Sequence, residues 1–162
     1  MSEVKVATKK RFFAKDVWKK PNNDEYTIIV GCGRLGSFLA NKLSDANENV
    51  LVIDRDNRSF RKLSSAYGGM TYFGDATNPS ILKEINIDKA TRVIATTEFD
   101  NVNIYVGQLA KVMFNVKSVI IRVIDNDRKA IYEHLGIKSI CPSELSTDAI
   151  DMIINSEEDE HE

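Results

Sequence analysis

The sequence predicts an α/β protein built on a doubly wound, parallel, six-stranded sheet. Three features carry this expectation. Short apolar runs alternate with amphipathic stretches from Tyr26 onward. The runs are apolar throughout, as suits strands covered on both faces. A glycine-rich segment, GCGRLG at Gly31–Gly36, joins the first run to the first amphipathic stretch.

PNND at Pro21–Asp24 is a turn cluster and marks a boundary. It separates an N-terminal arm, 1–25, from a domain expected over 26–155. Tyr26–Val30 reads as the first strand. Leu35, Leu39 and Leu43 recur at helical spacing, which predicts a helix over Leu35–Leu43. Asn49–Asp54 is the second strand, and a helix over Arg58–Tyr67 with Asn57 as its cap follows. Met70–Asp75 is the third strand. Asn78 caps a short helix that has Pro79 at its first position. Arg92–Thr97 is the fourth strand, and the longest helix runs from about Asp100 to Phe114. Ser118–Ile124 is the fifth strand. Asn126–Leu135 is a helix ended by Gly136. Lys138–Cys141 is the sixth strand, and a last helix runs from Pro142 to about Asn155.

The 162 residues suffice for one domain with a full core, and 43% hydrophobic with 28% charged residues is a globular composition. No apolar run reaches the roughly 18 residues of a membrane span. MSEVKVATKKRFF lacks the apolar stretch and cleavage site of a signal peptide. Cys32 and Cys141 have no metal-ligand spacing, which fits a reducing cytoplasm. The net charge of −2 is uneven: residues 1–20 carry +5 and the tail EEDEHE carries −5. The body between them is neutral to acidic, which argues against a nucleic-acid groove. The arm segment RFFAKDVWKK mixes bases with Phe12, Phe13 and Trp18. It reads either as a docking element for a membrane surface or a transport subunit, or as an arm that is partly disordered or packed on its own body.

The spacing G-x-G-x-x-G after a strand and before a helix, with Asp54 18 residues beyond Gly36, is the Rossmann arrangement. Gly31 permits the tight turn. Gly33 lets the backbone approach a phosphate. Gly36 lets the helix sit close to the sheet. The helix start offers free N–H groups to an anion. Asp54 accepts from ribose hydroxyls and disfavours a 2′-phosphate, although Arg55 softens that repulsion. Arg34, inside the loop, suits phosphate oxygens, including a terminal one. Its alternative is an exposed side chain in solvent.

GCGRLGS, VIDRD, GDATN and ATTEFDNVN followed by IIRVID occur in that order. This set resembles the nucleotide-binding N-terminal lobe of RCK domains (regulators of potassium conductance), also called TrkA-N or KTN domains. The resemblance covers roughly Tyr26 to Ile150. It implies a cytoplasmic regulatory subunit of a Trk- or Ktr-type potassium uptake system. It also implies a membrane transport partner, a peripheral position at the inner membrane face, and a homo-oligomer, dimer or ring. The implied ligand is an adenine nucleotide, ATP/ADP or NAD/NADH.

The resemblance further implies that the loop Gly31, Cys32, Gly33, Arg34, Leu35, Gly36 holds phosphates and that Asp54, beside Arg55, binds the adenosine ribose. Asp75 and Ala76 would lie beside the adenine. Thr97 and Glu98 would line the cleft opposite the loop, and Arg122 would point toward the ligand. Arg122 stands mid-strand, and a buried salt bridge is its alternative. The last helix resembles the family's crossover helix, which packs on a neighbouring subunit. Longer members add a C-terminal lobe. Here residues 156–162 form an acidic tail, and no such lobe is expected.

Catalytic signatures are lacking. His134 and His161 form no triad, and no YxxxK pair occurs. Cys32 suits its place by small size. DNDR and EEDE lack the calcium-loop pattern, and only the family resemblance implies Glu144 as a low-affinity cation contact. A dehydrogenase needs a second domain to bring in substrate, whereas after Thr97 this chain only completes its sheet. The expectation is a nucleotide that is sensed rather than consumed. The alternatives are a small NAD-dependent oxidoreductase and a Rossmann-type module serving another transporter.

Overall fold

A computed structural model describes the chain over residues 25–124 and 129–159, with side chains as far as 155. The basic arm, the start of the fourth helix and the acidic tail's side chains lie outside the described residues.

Six strands form one sheet: β1 (Tyr26–Val30), β2 (Asn49–Asp54), β3 (Met70–Phe73), β4 (Arg92–Ala95), β5 (Ser118–Arg122) and β6 (Ile137–Ile140). The order is β3-β2-β1-β4-β5-β6, and every pairing is parallel. Because the strands share a direction, their C-terminal ends lie along a single edge. The winding reverses between β1 and β4, which opens a crevice at that edge.

Among the described residues, five α-helices surround the sheet: α1 (Arg34–Asp45), α2 (Pro79–Glu84), α3 (Asp100–Gln108), α4 (Lys129–His134) and α5 (Pro142–Asp159). Successive residues of β1 serve opposite faces. Ile28 and Val30 join the larger core with Leu82, Val106 and Tyr132. Ile29 joins the smaller core under α1 with Ala40 and Leu43. Asn78 caps α2 by accepting from the Ser80 N–H, and Gly136, at φ +72, ends α4. The helix that starts at Asp100 widens toward its C-terminal end. α3 passes into a π turn over Leu109–Met113, and Phe114 N–H reaches back to the Leu109 carbonyl at 3.0 Å.

The helices depart from expectation in two places: α5, with 18 residues, is the longest helix rather than the one that starts at Asp100, and the second expected helix does not form as such. The helix predicted over Arg58–Tyr67 is a 3₁₀ turn over Asn57–Lys62, capped by Asp56 rather than Asn57. Its continuation is diverted by side chains that compete for the backbone. Asn41 Oδ1 accepts the Ser64 N–H at 3.0 Å, and Ser64 Oγ accepts the Ala66 N–H at 3.1 Å. β3, β4 and β5 each also stop two residues early, where the chain leaves the ladder toward the crevice.

Over 142–155, α5 is largely exposed, with Pro142, Leu145 and Ala149 half-buried and Ile150 and Ile153 more than half exposed. No helix among the described residues is long and apolar enough to cross a membrane.

Candidate functional site

The crevice is a cleft of about 550 Å³ at the C-terminal edge. Its floor is the glycine loop. Gly31 has φ +97, a conformation other residues rarely adopt, and a Cβ there would press on Thr97. Its N–H donates to the Ile53 carbonyl at 2.9 Å, so the loop starts fixed to β2. Gly33 is the N-cap of α1, and a Cβ on it would meet nothing, so the space in front of its backbone is open. A Cβ on Gly36 would overlap the Gly31 carbonyl oxygen and come within 2.8 Å of Thr96 Oγ1. That contact lets α1 start against the loop and places its first-turn N–H groups next to the cleft.

Asp54 has a job in the protein itself. One carboxylate oxygen accepts the Cys32 N–H at 2.7 Å, and the other accepts the Asp56 N–H at 2.8 Å. It therefore staples the glycine loop to the end of β2. A carboxylate offers about four acceptor positions, so room remains for ribose hydroxyls. Cys32 is buried, and burial, with the Asp54 carboxylate adding to it, pushes its thiol up to about 11. The thiol is thus neutral and poorly nucleophilic at neutral pH.

The opposite wall is ordered by Asn103, which is fully buried. Its Oδ1 accepts from the Thr97 N–H at 2.9 Å and from the Thr97 hydroxyl at 2.7 Å. Its Nδ2 donates to the Thr97 and Arg122 carbonyls, both at 2.9 Å. All four of its hydrogen-bonding positions are filled. Arg122 Nη1 adds a bond to the Thr97 carbonyl at 3.1 Å, so Arg122 braces this wall from behind. Asp75 turns to its own loop, accepting the Thr77 N–H at 2.9 Å and its hydroxyl at 2.7 Å. The backbone bond, then the hydroxyl, hold its carboxyl below the ordinary value.

Of the residues singled out in the sequence, Gly31, Gly33, Asp54, Arg55, Asp75, Ala76, Thr97 and Glu98 line this cleft. Cys32, Leu35 and Gly36 do not line it. Arg34 is exposed at the first position of α1 and also stands outside the lining. Arg122 makes its bond to a carbonyl rather than to a carboxylate. Lys62 and Phe99, which also line the cleft, and Asn103 carry no functional motif of their own in the sequence. Asn103 left a signal, because it shares a helical stripe with Val106, Gly107 and Ala110, all buried. A polar residue on a core-facing stripe needs partners.

The fold and the glycine loop define a Rossmann-type domain of the nucleotide-binding class. The TrkA-N domain model matches residues 27–142, and the chain belongs to this family. The Trk system potassium uptake protein TrkA of Streptomyces coelicolor is 37% identical over 123 residues, 76% of this chain. The chain spans about 55% of that relative's length. Among solved structures, GsuK bound to ADP has a TM-score of 0.70 at 20% identity, over 85% of this chain and 36% of that one. The GsuK channel bound to NAD has a TM-score of 0.62 at 15% identity, over 83% and 24%. At these identities the two likenesses show the fold alone.

Proposed function

We propose that this chain is a nucleotide-sensing regulatory subunit of a Trk- or Ktr-type potassium transport system. It binds ATP/ADP or NAD(H) in the cleft and gates a membrane partner from the cytoplasmic side. The observation that carries this reading is the open backbone at Gly33. It lies between the first turn of α1 and the stapled Asp54, where a phosphate and a ribose would be held at once. Family membership, a TrkA relative and neighbours solved with ADP and NAD support it. The domain spans 26–155, and no residue is assigned a catalytic role. The exposed apolar residues of α5, with Val112 at 68% exposure, suit a homo-oligomer.

A sensor requires that two ligands favour two conformations unequally. Arg34 is the residue assigned to discriminate, since its exposed guanidinium is free to reach a terminal phosphate that only ATP carries. Calorimetric titration with ATP, ADP, NAD and NADH, with Arg34→Ala alongside, tests this. The reading predicts unequal ATP and ADP affinities that converge in the variant. Much tighter NAD or NADH binding, unchanged by Arg34→Ala, transfers the role to redox-state sensing. Turnover of a reduced cofactor would revive the oxidoreductase.

A further inference from the structure

We propose that Arg55 and Phe99 are the two jaws of a clamp that grips the nucleotide base, which slides between guanidinium and ring. This rests on the nucleotide reading of the cleft and assigns the base a holder of its own.

The Arg55 guanidinium carbon lies 5.3 Å from the centroid of the Phe99 ring. Arg55 follows β2 and Phe99 stands beyond the end of β4, the strands on either side of β1. The contact therefore crosses the cleft, and both residues line it. Each jaw hangs from a fixed backbone. The Asp56 N–H is tied to Asp54 at 2.8 Å on one side. On the other, the Phe99 carbonyl accepts from Val102 at 3.1 Å and from Asn103 at 3.0 Å.

Phe99 has no structural reason to be aromatic. It is 51% exposed and belongs to neither core. It stands at the N-cap of α3, where Ser, Thr, Asp or Asn would satisfy a free N–H, and it makes no side-chain cap. A ring there gives up a cap and exposes apolar surface, which suits a face kept for a ligand. Arg55 is exposed too and has no ion-pair partner among the described residues.

The spacing fits the role. A flat ring in contact with both jaws at ~3.5 Å needs them about 7 Å apart. From 5.3 Å, a change of the Arg55 rotamer supplies the difference with the backbone in place. A planar guanidinium stacks on a base as an aromatic ring does. Every base offers a π-face, so the clamp strengthens binding of the base half without choosing among bases.

The test is calorimetry of AMP and ribose 5-phosphate with the wild type, Phe99→Leu, Phe99→Trp and Arg55→Met. Phe99→Leu is expected to weaken AMP roughly tenfold to a hundredfold and to leave the weaker ribose 5-phosphate unchanged. Phe99→Trp is expected to keep AMP affinity and to show ligand quenching of its indole beyond that of Trp18 in the wild type. Arg55→Met is expected to lose a smaller share. If the wild type binds AMP and Phe99→Leu stays within twofold of it, the clamp falls and the nucleotide reading stands. If AMP and ribose 5-phosphate weaken together in Phe99→Leu, the residue shapes the whole cleft and the clamp is again refuted. If the wild type binds neither of these and none of ATP, ADP, NAD and NADH, the nucleotide reading falls and takes the clamp with it; if it binds only a larger nucleotide, the same comparison of Phe99→Leu with the wild type is made with that one.

Discussion

The two edges of the sheet carry similar kinds of polar group and use them in opposite ways. At the N-terminal edge everything closes on itself. Arg92 pairs with Glu25 at 2.9 Å and with Glu48 at 3.0 Å, and it donates to the Thr27 hydroxyl at 3.1 Å. The Tyr26 N–H donates to the Thr91 hydroxyl at 3.1 Å, and the Tyr26 phenol donates to the Ile85 carbonyl at 2.8 Å. At the C-terminal edge the walls are fastened by Asp54 and Asn103, but Arg55 and Lys62 face the cleft with no ion pair among the described residues. One edge holds the sheet together. The other spends its bonds on shaping a space and leaves Arg55 and Lys62 available to a ligand. Parallel strands impose this division, since only their C-terminal ends lead into helix N-termini.

The largest expected effect attacks the loop that makes the open edge. Gly36→Val drives side-chain atoms into the Gly31 carbonyl and Thr96 and should cost at least about 3 kcal/mol in urea unfolding. Asn103→Leu leaves buried groups of Thr97 and Arg122 without partners and should cost roughly 2–3 kcal/mol. It should also weaken nucleotide binding, because Thr97 lines the cleft. A destabilised Asn103→Leu with unchanged binding would show that the wall is structural only.

Arg92→Met is the matched change at the closed edge. It strands the Glu48 side chain, which is 6% exposed, and should cost about 2 kcal/mol by thermal melting. Nucleotide affinity should stay at the wild-type value, and a change there would erase the distinction between the edges. Lys62→Gln should do the reverse, keeping the melting temperature and weakening ADP about two- to fivefold at low salt.

The smallest effect concerns Cys32. With its thiol raised to about 11, its contribution is intact below the ordinary thiol value and is lost as pH climbs toward about 11. Iodoacetamide labelling of the folded protein should spare Cys32 at pH 7.5 and reach it after denaturation, as read by peptide mass mapping.

Much of this was legible in the sequence, for physical reasons. Strands buried on both faces read as solid apolar runs, so β1, β2 and β4 stood out. The glycine loop carried its own geometry, since φ +97 at Gly31 and the absent Cβ at Gly36 leave few alternatives. Asp54 was marked by spacing, but its bond to the Cys32 N–H joins residues 22 apart, and no periodicity reports that. The segment Arg58–Tyr67 misled because helical composition says nothing of Asn41 reaching across to Ser64. Phe99 and Lys62 passed unnoticed because each looks ordinary until the fold brings it to the cleft.

The most direct test of the account is an amide chemical-shift map of the labelled protein titrated with ADP. The largest shifts are expected at Gly31, Gly33, Arg34, Asp75 and Thr97, with Thr27, Glu48 and Arg92 unmoved. Shifts concentrated at the N-terminal edge, or none at saturating ADP, ATP and NAD, would contradict it.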